Sequence, residues 1–186
     1  MTEVNIVDQI FDAFQQRGHQ SYGEYVSMQE HMLQAAYFAE RDGASPTLIA
    51  AAVLHDIGHL IHDFPEDIAD QSIDAIHEEI GAKFLADYFV PAVTEPARLH
   101  VAAKRYLCAV DPAYFDTLTP ASVQSLKLQG GPFNEEQVKE FEASPFYQDT
   151  VQLRRYDEMG KIPDFQTPDL EHFRPYLEAS LLSTES

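Results

Sequence analysis

A chain of 186 residues with 45% apolar and 11% aromatic content is long enough for one compact domain with a sizeable core, and too apolar to be disordered. Its 12 basic and 31 acidic residues give a formal charge of −19. A surface of that sign repels phosphate backbones and anionic lipid headgroups, so neither nucleic acid nor a membrane is an expected partner; Lys104-Arg105 and Arg154-Arg155 are the basic pairs that stand out against it.

The first stretch, MTEVNIVDQIFDAF, is acidic and amphipathic. With no basic leader and no continuous apolar run, it reads as a helix rather than a signal peptide, and the cytoplasm is the expected compartment. Ser27 to Glu30 reads as a capping box opening a second helix, which Gly43 ends. Ser45-Pro46 opens a third, LIAAAVLHDIGH, apolar nearly all round until His55 and therefore a core helix. After an acidic loop from His62 to Ser72, IDAIHEEIGAKFLADYF is helical. Thr94-Glu95-Pro96 is expected to open the next helix, ARLHVAAKRYLCAV. It carries Cys108, the single cysteine, which makes an intramolecular disulfide impossible and all but excludes a thiolate metal site. Thr119-Pro120 starts a shorter helix, Gly130-Gly131-Pro132 breaks the chain, and Asn134 caps EEQVKEFEA. Pro145 starts FYQDTVQLRRYDEMG, and a last amphipathic helix spans about 169–182. With no alternating segment of strand length and no repeat, one all-α domain over 1–186, a bundle of about eight helices, is expected.

The chain has eight histidines, and four of them, His31, His55, His77 and His100, lie beside apolar residues on four different helices. One such histidine is ordinarily a hydrogen-bonded core residue; four on separate helices can converge at the centre of a bundle, where neutral imidazole is the commonest metal ligand. Asp56 ends a nearly all-apolar run with no lysine or arginine close in sequence, so a cation should neutralise it. Asp157, beside Glu158, reads equally as a surface acid. Six ligands exceed what one open site needs and suit two metals bridged by a carboxylate. One metal would take His31, His55, Asp56 and Asp157; the other would take His77 and His100 and share Asp56. Nitrogen and oxygen ligands without sulfur suit Fe, Mn or Co, and two histidines with one carboxylate resemble the open facial triad of oxygen-activating iron.

The ordered set His31, His55-Asp56, Asp157 resembles the signature of the HD-domain superfamily, most of whose members are metal-dependent phosphohydrolases. The added His77 and His100 resemble its two-metal branch. HDIGH (55–59), HVAAKRYL (100–107), QGGP (129–132) and RRYDEMGK (154–161) are similar to the mixed-valence diiron organophosphonate oxygenases. That resemblance, from about Gly23 to Lys161, implies an Fe(II)/Fe(III) pair, O₂ as co-substrate and oxidative cleavage of a carbon–phosphorus bond. It implies a small organophosphonate substrate, and a monomer or weak homo-oligomer is expected. Hydrolysis by the same ligands with Mn, Co or Mg is the alternative.

By the same resemblance, Lys104, Arg154 and His59 contact the phosphonate oxygens, with Ser122 and, more weakly, Gln129. Helix spacing agrees: Lys104 follows His100 by four residues, Arg154 precedes Asp157 by three, and His59 follows His55 by four. Ser122 lies near a helix N-terminus, which favours anions. The family's glutamate for the cationic end of the substrate is matched by Glu24. The family's tyrosine that caps the open iron position aligns with Ser21 here; Tyr22 beside it takes the role, or the role is lost. Tyr22, Tyr25 and Glu24 could together cage a quaternary ammonium by cation–π attraction. Lys104, His59 and Tyr22 are thus the candidate catalytic residues. The expected substrate is 2-amino-1-hydroxyethylphosphonate or, favoured slightly, its N-trimethyl analogue, giving phosphate with glycine or glycine betaine.

Overall fold

The computed structural model describes residues 5–21, 25–61 and 72–183, with side chains from 78 onward in the last segment. Among these residues there are ten α-helices and no strand; Phe89 with Leu181 and Ser21 with Ser27 form isolated bridges. The helices are α1 (Ile6–Arg17), α2 (Met28–Arg41), α3 (Pro46–Leu54), α4 (Ser72–Ala86), α5 (Pro91–Val110), α6 (Pro112–Phe115), α7 (Pro120–Leu128), α8 (Glu135–Glu142), α9 (Tyr147–Met159) and α10 (Leu170–Ala179). The count exceeds eight chiefly because Asp111-Pro112 starts the four-residue α6, too short to show a period. No helix among the described residues is long and apolar enough to cross a membrane.

Caps fall where side-chain acceptors can satisfy the first free N–H groups. Ser27 and Glu30 make a reciprocal capping box, as do Asn134 and Gln137. Ser45, Thr119 and Asp169 cap α3, α7 and α10. The exception is α5, which begins at Pro91 rather than at Pro96. Pro91 sits at N1, where its missing N–H costs nothing, and the bulk of the helix tolerates Pro96 as one absent bond.

The centre of the bundle is α3. Ala50 to Leu54 are 0% exposed, and α2, α5, α9 and α10 pack around them. Each fully buried Val or Leu side chain contributes roughly 1.5–3 kcal/mol, so this small helix anchors the fold. A second cluster of Ala103, Tyr106, Leu107, Tyr114 and Phe141 joins α5, α6 and α8.

The third helix stops at Leu54, earlier than its apolar run suggests, and a 3-10 turn follows over Ile57–His59. Between them Asp56 takes φ −110° and ψ 18°, outside the helical well. The chain is therefore free to aim His55 and Asp56 at one point. Against the turn lies α4, and a Cβ placed on its Gly81 would stand 3.1 Å from the Gly58 nitrogen. Glycine at both positions is what lets the two backbones touch.

Candidate metal centre and anion pocket

Three imidazoles converge at the bundle centre, and each is held in the same tautomer. His31 donates from Nδ1 to the Gly160 carbonyl at 2.9 Å, His55 to Ala52 at 2.8 Å and His100 to Ala97 at 2.6 Å. Carbonyls only accept, so every Nδ1 carries its hydrogen, and a neutral ring then offers a lone pair at Nε2. The His31 and His55 Nε2 atoms are 3.0 Å apart. Two lone pairs at that distance repel unless a cation lies between them.

Two buried carboxylates complete the centre. Asp56 Oδ2 is 3.5 Å from the Nε2 of both His31 and His55, while its Oδ1 is 3.4 Å from His100 Nε2. The two oxygens thus face separate imidazole groups, the disposition of a bridging carboxylate. Asp157 Oδ1 is 3.5 Å from His31 Nε2 and has no hydrogen-bond partner, although the residue is 1% exposed. An orphaned buried carboxylate oxygen costs about 1–3 kcal/mol or more, so its orientation toward the nitrogens fits a cation seat. His31, His55 and Asp157 form one compact donor set, and His55, Asp56 and His100 form another. Nitrogen and carboxylate donors without sulfur suit iron or manganese.

The protonation equilibria agree. Burial opposes the charged form of His100, but its hydrogen bond and attraction to Asp56 prevail and push it up to about 9. Burial, only partly offset by Asp56, pulls His55 down to about 4. Both carboxyls lie below their usual range: against burial, His55 and the neighbouring imidazoles hold Asp56 there, and Arg154 followed by His31 hold Asp157. The centre keeps its carboxylates ionised and shares one proton where a metal would bind.

Beside the centre are buried cations. Lys104 is 3% exposed and donates to Ser125 Oγ at 2.6 Å. Arg154 is 4% exposed; its Nη1 is 2.7 Å from Asp157 Oδ2, its Nε donates to Tyr114 Oη at 3.0 Å, and its Nη2 pairs with Glu158. Neither is the solvated surface charge that an isolated basic pair would suggest. Ser122 is buried, and its own N–H goes to the capping Thr119 hydroxyl, so what it offers is its side-chain oxygen. Gln129, at the end of α7, has a buried Oε1 without a hydrogen-bond partner. His59 is half-buried in the 3-10 turn; because the helix has already ended, helix spacing from His55 does not place it. Tyr25 is 95% exposed at φ 65°, its ring facing solvent. Tyr22 and Glu24 lie outside the described residues, as does the side chain of His77.

Three contributors escaped the sequence: Gly160, whose carbonyl orients His31, and Glu158 and Lys161, a buried pair at 3.0 Å. Their signal was present in RRYDEMGK, where charges at i, i+4 and i+7 from Arg154 fall on one helical stripe. Arg105 and Arg155 lie elsewhere: Arg105 binds the Gly131 carbonyl and stacks on Phe133, and Arg155 pairs with exposed Asp111.

A helical bundle that aims histidines and an HD dipeptide at its centre defines a class, and the family model described as HD domain matches residues 28–108. The chain is 47% identical over 175 residues to a Leisingera caerulea protein named [1-hydroxy-2-(trimethylamino)ethyl]phosphonate dioxygenase (glycine-betaine-forming), covering 94% of this chain and 89% of that one. It is 43% identical over 176 residues to a hydroxymethylphosphonate dioxygenase of Gimesia maris, covering 94% and 88%. The chain belongs to the HD-domain phosphonate dioxygenases.

Proposed function

We propose that this protein cleaves the carbon–phosphorus bond of [1-hydroxy-2-(trimethylamino)ethyl]phosphonate with O₂, releasing phosphate and glycine betaine. The observation that carries this is the bridging disposition of Asp56, one oxygen toward His31 and His55 and the other toward His100, in a chain 47% identical to an enzyme named for that reaction. The overall change balances: the substrate gives up four electrons, O₂ accepts them, and one oxygen atom goes to each product.

Two iron ions, cycling as an Fe(II)/Fe(III) pair, would supply O₂ activation. His31, His55, Asp157 and Asp56 would hold one, and Asp56, His100 and His77 the other. The backbone of residue 77 is one turn from Gly81, where α4 touches the HD turn, which supports this division. Lys104, Arg154, His59, Ser122 and Gln129 are assigned to the phosphonate oxygens. A dianion entering a protein of net charge −19 needs such local neutralisation, and Lys104 and Arg154 are buried where they can give it. Glu24, with Tyr22 and Tyr25, is assigned to the trimethylammonium end. Lys104, His59 and Tyr22 keep the catalytic roles: charge and hydrogen bonds at the reacting end, and shielding of the open metal position. The protein is taken to act as one domain, a monomer or weak homo-oligomer, in the cytoplasm.

The 43% identity to a hydroxymethylphosphonate dioxygenase supports a second substrate with no cationic end. Iron-loaded protein should be incubated in air with the trimethylamino, amino and hydroxymethyl substrates, following O₂ uptake, phosphate and betaine. Fastest phosphate release from the trimethylamino substrate, with one O₂ consumed per phosphate, is the expected result. Phosphate release without O₂ uptake would replace the oxygenase with a hydrolase.

A further inference from the structure

A lysine that no motif singled out lies in the wall of the anion pocket. The Lys161 side chain is 8% exposed, two residues beyond the end of α9. Its Nζ is 3.0 Å from Glu158 Oε2 and 3.3 Å from Ser122 Oγ. Ser122 and Ser125 are one turn apart on α7, and Ser125 receives Lys104 at 2.6 Å. The same stripe of α7 therefore gathers one lysine from α5 and another from the chain after α9.

Counting charges decides what the arrangement is for. Burying an ammonium is costly unless it is paired. Glu158 is the carboxylate within reach of Lys161, and its other oxygen is already taken by Arg154. Asp157 gives one oxygen to Arg154 and turns the other toward the imidazoles. Three buried cations, Lys104, Arg154 and Lys161, thus face one carboxylate and half of another. A local surplus of positive charge in so acidic a protein is a seat for an additional anion. The Glu158 carboxylate, planar and anionic between a guanidinium and an ammonium, occupies the kind of place that a phosphonate face would take.

We propose that Lys161 is a further phosphonate-binding residue, and that Glu158 holds it with Arg154 until the entering phosphonate competes for both. The proposal rests on the function given above for its ligand, but the surplus of charge stands independently of the chemistry. Lys161 binds and positions; it supplies no proton or electron to the reaction. Substrate entry loosens Glu158 from the pair, so this carboxylate sets how tightly the anion is held.

The test uses iron-loaded protein and the variants Lys161→Met, Lys161→Arg and Glu158→Gln, each with its iron content measured. Lys161→Met should raise KM for the trimethylamino phosphonate about tenfold or more, the loss of one charge-assisted contact, with kcat per bound iron changed far less. Lys161→Arg should recover most of the loss, and Glu158→Gln should lower KM by removing the competing charge. Unchanged KM in Lys161→Met at full iron content, or activity falling only in step with lost iron, would overturn the proposal; if that variant fails to fold, a KM in Glu158→Gln that is unchanged or raised does the same. Calorimetric titration with inorganic phosphate under anaerobic conditions reads the anion seat without turnover. An inactive wild type that still binds phosphate through Lys161 would sink the proposed reaction and leave this inference standing; equal phosphate binding by wild type and Lys161→Met would sink the inference alone.

Discussion

Gly160 grips His31 at both ends of one contact. Its carbonyl accepts the Nδ1 hydrogen at 2.9 Å, and a Cβ at position 160 would stand 2.8 Å from the His31 carbonyl oxygen and 3.2 Å from its Nδ1. The close approach of α9 to α2 is thus also what fixes the tautomer of a metal ligand. Gly160→Ala must push the two elements apart and lengthen the hydrogen bond. Outer hydrogen bonds of this kind are worth about 10–100-fold in metal affinity. The variant should fold and lose iron first from the His31 site, visible as reduced iron per chain after dialysis against a weak chelator.

Arg154 acts on the centre through Asp157. One fork of its guanidinium holds Asp157 Oδ2 and another holds Glu158, with Tyr114 Oη at its Nε. A lysine cannot span these three partners. Arg154→Lys should therefore reduce both iron retention and phosphonate affinity, and breaking so buried a network should cost about 3–5 kcal/mol of stability. Thermal unfolding with and without iron separates the two losses. An Arg154→Lys protein with unchanged iron content would free the arginine from its orienting role.

The helical plan was legible because its signals are local. Capping side chains and apolar periodicity act within a few residues, and Ser27, Ser45, Thr119, Asn134 and Asp169 all cap in the structure. His55-Asp56 was legible too, since a carboxylate at the end of so apolar a run requires a cation. Contacts across the fold were not. The bond from His31 to Gly160 joins residues 129 apart, and that of Lys161 to Ser122 joins residues 39 apart. Nothing in either local sequence announces the partner. His59 shows the converse failure: its spacing from His55 implied one helical face, but the backbone leaves the helix after Leu54.

The Gly58 and Gly81 contact bears on the second metal. A Cβ at Gly81 would lie 3.1 Å from the Gly58 nitrogen and 3.3 Å from its Cα, so backbone must move to admit it. Displacing α4 should move residue 77 and spare the His31, His55 and Asp157 set on other elements. Gly81→Ala should therefore keep one iron tightly and weaken the other, and His77→Ala should retain one and lose activity. Iron per chain, measured together with Mössbauer spectra, distinguishes these outcomes; two tightly held irons in His77→Ala would remove His77 from the ligand set.

Metal binding must also expel a proton. His100, pushed up to about 9 by Asp56 despite its burial, is protonated at neutral pH when no metal is bound. A metal at its Nε2 takes the place of that proton. Below pH 9, proton and metal compete, so affinity for the second metal should fall by about tenfold for each unit of decreasing pH from 9 toward 7. Above pH 9 the ring is already neutral, and this dependence flattens. His55, pulled down to about 4 by burial, is neutral throughout this range and adds no second proton. Calorimetry of metal binding at pH 7.5 in buffers of different ionisation enthalpy should therefore report close to one proton released at this position. In Asp56→Asn the carboxylate that raises His100 is gone, so both the proton release and the slope should disappear along with most of the affinity.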